Sequence, residues 1–265
     1  MGEHATLLEE ERDGVLVLTL SNPSLRNALH PDIYAAGIAA AERAAQDAAI
    51  GAIVLTGAGG HFCAGGNLNR LAANRHKPSS VQAESLNAFH RWIRALRNCP
   101  QPVIGAIEGN AVGAGFSLAL ACDLLVAAET ARFGMAYVKV GLSPDGGASA
   151  HLAGELPRQL ASELLLLGGI IDSRRLQSFG VVNRVVADGT TLTEALQIAQ
   201  QLARGPRQAQ QRVKRLLAAA EHNPLEQQLA LEADYFVASL FGPEAEEGIA
   251  AFLAKRAPDF SSGRS

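Results

Sequence analysis

Short apolar runs alternate along the chain with longer stretches in which apolar residues recur every three or four positions. That is the pattern of buried strands interleaved with amphipathic helices. The runs at 15–20, 52–56, 103–107 and 123–127 are too short for buried helices and lie among turn residues such as Gly57, Pro102 and Gly109, so each predicts a strand. Asp13-Gly14 is a hairpin signal that pairs the first run with a partner near residues 6–9. Residues 131–134 continue the sheet ahead of 137–141, and 181–186 closes a later unit. Pro31-Asp32 opens an alanine-rich helix reaching about Ala48, and residues 81–98 carry Leu86, Phe89, Ile93 and Leu96 on one helical face. A helix restarts near Gly113, and others cover 157–167 and 173–179, the latter capped by Asp172. Helices at 195–203, 207–221 and 225–240 are separated by Gly205-Pro206 and Asn223-Pro224. The polar stretch 71–80, with Pro78-Ser79-Ser80, reads as a loop. Leu225, Leu229, Phe236 and Leu240 form a stripe that reads as core.

Repeated strand–helix alternation predicts an α/β layered core with right-handed crossovers, followed by an all-helical segment. With 265 residues, 48% of them hydrophobic, the chain can bury a large core. A net charge of −3 gives no electrostatic case for nucleic acid or an anionic membrane surface. Gly, Asp or Glu interrupts every apolar run before membrane-spanning length, and the acidic start MGEHATLLEEERDG is unlike a signal peptide, so a cytoplasmic location is the expectation. Three unpaired cysteines, Cys63, Cys99 and Cys122, suggest reduced thiols, and no His, Cys or carboxylate spacing suggests a metal site.

The candidate chemistry lies in two glycine-rich turns. QPVIGAIEGNAVGAGFSLALACD (101–123) passes from strand to helix at Gly113, and HFCAGGNL (61–68) follows the strand at 52–56. Two such turns can aim two backbone N–H groups at one oxygen, the arrangement that stabilises an enolate or tetrahedral intermediate. On spacing alone, tight turns and close packing are the favoured explanation of these glycines. Gly60 and Gly65 have the spacing of a phosphate loop, but Gly66 and Asn67 stand where Lys and Ser or Thr are needed. Cys63 reads as a small buried side chain, and Asp123 as an anchor for hydrogen bonds at the start of its strand.

These two stretches, with ARFGMAYVKVGLSPDGG (131–147), LRNAL (25–29) and AFLAKRAPDF (251–260), resemble the crotonase family, the enoyl-CoA hydratase/isomerase superfamily, in order and spacing over nearly the whole chain. The resemblance implies an α/β crotonase fold: a spiral of ββα units over 1–200 holding the CoA and acyl site, then a C-terminal helical trimerisation region over 201–265. It implies a homotrimer or a hexamer of paired trimers, an acyl-CoA substrate, and no cofactor beyond the coenzyme A carried on that substrate. Gly66 and Ala114 match the N–H donors, with Ala64, Gly65, Asn67, Leu68 and Gly113 in the turns around them. Arg26 and Ala28 match the loop along the CoA moiety, and Lys255 a residue reaching a CoA phosphate; a solvated Arg26 and Lys255 are the bland alternatives.

The chain departs from its relatives at one informative point. Hydratases of the family use two glutamates, and those positions hold Ser117 and Tyr137 here, neither a carboxylate base. What remains is Asp145, next to Pro144 in a turn where some relatives place a proton-shuttling aspartate; the alternative is a turn or capping role. His90 stands where some relatives activate water, but a packing or helix-surface role is favoured. Double-bond isomerisation fits one base best. Overall similarity also extends to the alternative-type oxepin-CoA hydrolase group, which leaves hydration or ring-opening hydrolysis in aromatic or fatty acid breakdown open, as well as acyl-CoA binding without turnover.

Overall fold

A computed structural model describes residues 5–260; residues 1–4 and 261–265 lie outside the described residues. Strands β1 (Thr6–Arg12) and β2 (Val15–Ser21) form an antiparallel hairpin turned at Asp13-Gly14, both at positive φ. The chain continues through α1 (Pro31–Gln46), β3 (Ala52–Gly57), α2 (Leu68–Asn74), α3 (Ser79–Asn98), β4 (Val103–Ile107), β5 (Asn110–Val112), α4 (Ala114–Leu120), β6 (Leu124–Ala128) and β7 (Arg132–Gly134). After α5 (Ala148–Glu155), α6 (Arg158–Leu167), β8 (Ile170–Asp172), α7 (Ser173–Ser178) and β9 (Arg184–Val186), it ends in α8 (Thr191–Ala203), α9 (Arg207–Ala220), α10 (Leu225–Leu240) and α11 (Pro243–Leu253).

The larger sheet has the order β1-β2-β3-β4-β6-β9, parallel from β2 onward, and a smaller one runs β5-β7-β8. Each long strand leaves the larger sheet and is followed by a short one in the smaller: β4 by β5, β6 by β7, and β3 by an isolated bridge from Cys63 to Ala111 beside β5. The strand–short strand–helix unit therefore repeats, each turn stacking on the last. The inner strands β2, β3, β4 and β6 are buried on both faces, as parallel strands under two layers must be, while the edge strand β1 is largely exposed. Leu16, Leu18 and Leu20 enter the main core with Leu55, Trp92 and Phe116, while Val15 and Val17 face a second core closed by Ala195, Ile198 and Ala199 of α8. The boundary expected at residue 200 falls inside α8, which packs across this sheet.

Several expectations change. Residues 71–74 are not loop but the end of α2, which Asn67 caps by accepting the Arg70 N–H at 3.1 Å. A helix of seven residues is too short to show an apolar period for sequence reading to detect. Residues 136–140 form a single 3₁₀ turn ending at Gly141. The α10 stripe is not core: Leu225, Leu229, Phe236 and Leu240 are all exposed, because none of the described residues covers that side. Asp123 does anchor its strand, its carboxylate accepting the Val103 N–H at 2.7 Å and pairing with Lys214 at 2.5 Å.

Candidate active site

A cavity of about 760 Å³ opens between the turn at 64–68, the start of α4, the face of α3 and the segment 136–145. Ladder bonds bring the two glycine turns together: Cys63 N–H donates to the Asn110 carbonyl at 2.8 Å and Val112 N–H to the Cys63 carbonyl at 3.0 Å. Gly65 has φ +89, and a Cβ there would lie 2.5 Å from the Val112 carbonyl oxygen and 3.3 Å from the Ala114 nitrogen. Only glycine permits this approach, so the turn carrying Gly66 sits directly against the start of α4. Neither the Gly66 nor the Ala114 N–H has an acceptor among the described residues, and both residues line the cavity. The Ala114 N–H lies in the first helical turn, where no intrahelical partner exists.

Asp145 lies on the same wall. Its Oδ1 accepts the Tyr137 hydroxyl at 2.6 Å, and its backbone carbonyl accepts the Ser117 hydroxyl at 2.9 Å. The next residue, Gly146, donates its N–H to His90 Nε2 at 3.2 Å, which leaves the ring proton on Nδ1. Burial pushes the Asp145 carboxyl above the usual aspartate range, while the Tyr137 hydrogen bond and, when protonated, His90 oppose that shift. Burial and the adjacent carboxylate push the Tyr137 phenol well up, so it stays a hydrogen-bond donor. Tyr34, on α1, is pushed up to about 12 by burial and packs on Phe89 with ring centroids 5.3 Å apart. Cys63 is fully buried, its thiol pushed up to about 12 by burial, and it donates to the Asn27 carbonyl at 3.1 Å; it packs as a thiol and supplies no thiolate.

Of the residues singled out in the sequence, Ala28, Ala64, Gly66, Asn67, Leu68, Gly113, Ala114, Tyr137, Pro144 and Asp145 line this one cavity. Gly65 shapes it from behind. Ser117, expected against substrate, is fully buried instead, its hydroxyl tied to the Asp145 and Gly113 carbonyls, so it orients the Asp145 turn. Arg26 and Lys255 lie outside the cavity lining; Arg26 reaches the site only through its backbone carbonyl, which accepts the Ala64 N–H at 2.9 Å. His90 is neither packed away nor on an outer helix surface but on the cavity wall. Sequence reading passed over Tyr34, Ser85 and Arg70, which line the cavity too; Asn67 as a cap, with Pro78 beyond, was the signal for the helix that carries Arg70. Among the described residues no group of three His, Cys, Asp or Glu side chains converges as metal ligands would, and no helix is long and apolar enough to cross a membrane.

Residues 10–263 match the family profile described as enoyl-CoA hydratase/isomerase. The chain is 36% identical over 256 residues to the 1,2-epoxyphenylacetyl-CoA isomerase of Escherichia coli K12, covering 96% of this chain and 98% of the relative. The same identity and coverage hold for the 2,3-dehydroadipyl-CoA hydratase of that organism. Among solved structures, an enoyl-CoA hydratase from Polaromonas sp. JS666 superposes with a TM-score of 0.94 at 52% identity, covering 96% of this chain and 98% of that one. The doubled ladder and the adjoining glycine turns are thus a shared architecture, the crotonase fold, and the chain belongs to the enoyl-CoA hydratase/isomerase family of enzymes.

Proposed function

We propose that the chain takes an acyl-CoA thioester into this cavity and moves a carbon–carbon double bond through an enolate, with Asp145 carrying the proton. The observation that supports this most strongly is a single desolvated carboxylate sharing a wall with two N–H groups that have no acceptor among the described residues. The Gly66 and Ala114 N–H groups would hold the thioester oxygen as negative charge develops, a contact worth roughly 2.7–4 kcal/mol per donor in comparable sites. Asp145 would take the proton between the carbonyl and the double bond and return it at the far carbon, so charge and atoms balance without water. Burial raises its basicity, and Tyr137 holds it in place. Two glutamates would be needed for the family's water addition, and Ser117 and Tyr137 occupy their positions.

The test is proton exchange in deuterium oxide, followed by NMR with β,γ-enoyl-CoA thioesters. Wild-type protein is expected to exchange and migrate the double bond, and Asp145→Asn to lose about 10²–10⁴-fold in turnover while still binding CoA. Unchanged turnover in that variant removes Asp145 as the base. A second reading, hydration or ring-opening hydrolysis, is favoured by His90, whose imidazole stands on the same wall beside Gly146. Its mark is oxygen from labelled water in the product. Binding with neither exchange nor label would support an acyl-CoA-binding protein.

We also infer that the exposed face of the C-terminal helices meets copies of the same chain. Leu217, Phe236, Phe241 and Phe252 stand open to solvent there, and large apolar side chains exposed together mark an association surface.

A further inference from the structure

The cavity holds a cation with no assigned task. Arg70, on α2, is the only Arg or Lys among the described residues that lines it. Its Nη2 donates to the Ser85 hydroxyl at 3.0 Å, its Nε is buried with no partner, and no carboxylate among the described residues pairs with it. The half-buried guanidinium is held by two neutral partners, the Ser85 and Tyr34 hydroxyls, and still lacks a counter-charge, which a ligand carboxylate would supply. The site's own carboxylate does not: Asp145 is held by Tyr137, and the neighbours that bias its charge are Tyr137 and His90, not Arg70. Tyr34, packed on Phe89, hydrogen-bonds Arg70 and also feels the Asp145 charge. Arg70 therefore sits in the same cavity as the reacting end but apart from it.

We propose that Arg70 is the specificity-determining contact for an acyl group that bears a carboxylate at the end remote from the thioester. The guanidinium fork matches a carboxylate, Ser85 positions the fork, and Gln82, which lines the same cavity, keeps its amide N–H groups available while its oxygen accepts from Asn74. The inference rests on the reading of the cavity as an acyl-CoA thioester site.

Calorimetric titration with free CoA, hexanoyl-CoA and the ω-carboxy analogue of hexanoyl-CoA tests it without depending on the reaction. Wild-type protein is expected to bind the carboxylated thioester at least about tenfold more tightly than hexanoyl-CoA, the effect of one hydrogen-bonded charge pair. Arg70→Leu should remove that advantage while leaving hexanoyl-CoA and CoA nearly unchanged, and Arg70→Lys should keep part of it. Equal binding of the two thioesters by wild-type protein overturns the proposal, whatever the variants do. So does an equal loss for all three ligands in Arg70→Leu, which would make Arg70 a contact to the CoA phosphates. If none of the three binds, the thioester-site reading fails and the inference with it; if CoA and hexanoyl-CoA bind with no gain from the carboxylate, only the inference fails.

Discussion

At the scale of single residues, the site's chemistry is set by one hydrogen bond. The Tyr137 hydroxyl lowers an Asp145 carboxyl that burial has raised, so Tyr137→Phe leaves burial unopposed by that contact and the carboxyl rises further. A base works only when deprotonated, so the acidic limb of the pH–rate profile should move to higher pH in Tyr137→Phe; a limb that stays in place would mean another group titrates. Stability follows the same logic with opposite benefit. A carboxyl raised on folding contributes stability that is complete below the ordinary aspartate value and is lost as pH rises through the folded value, and Tyr137→Phe extends that window upward. Ser117 acts on the same group from the other side, through the backbone of Asp145.

At the scale of elements, the decisive contact is between two turns. Gly65 passes so close to Val112 that a methyl group must push the turn bearing Gly66 away from the start of α4. Gly65→Ala is expected to cost about 1–3 kcal/mol in thermal or denaturant melts from backbone strain and to lower kcat/KM by about 10²–10³-fold, as loss of one oxyanion donor does. Gly60→Ala is the control. Gly60 also has positive φ, but nothing lies within 4 Å of its missing Cβ, so it should share the strain and keep the activity. Equal activity loss in both would mean that strain alone, not displacement of the donor, is responsible.

At the scale of the whole molecule, the interior is complete but one outer face is not. Phe241 is 85% exposed, Phe252 81% and Leu253 75%, all on or beside the C-terminal helices. Side chains of this size left in water forgo roughly 1.5–3 kcal/mol each. Association of identical copies in closed symmetry would recover it. Sedimentation equilibrium should return three or six times the 27.7 kDa chain mass, and a monomer at working concentration would reject the assembly.

The sequence by itself determined the layering. Apolar runs such as Val103–Ile107 are too short for buried helices, and Gly and Pro punctuate them, so strand order along the chain and most helices were legible. The glycine turns and their co-linear order were legible too, as local features of residue type and spacing, whereas the absence of glutamates at Ser117 and Tyr137 followed only from the family resemblance. Tertiary structure decided what depends on distant partners. The short strands β5 and β8 exist through pairing with β7 across the chain, and a period of three residues carries no signal. His90 and Arg70 face the cavity because α3 and α2 are turned that way, and the α10 stripe is exposed because the fold leaves that face open. Periodicity tells that a residue has a side to choose; only the packing of the other elements decides which side meets core, solvent or substrate.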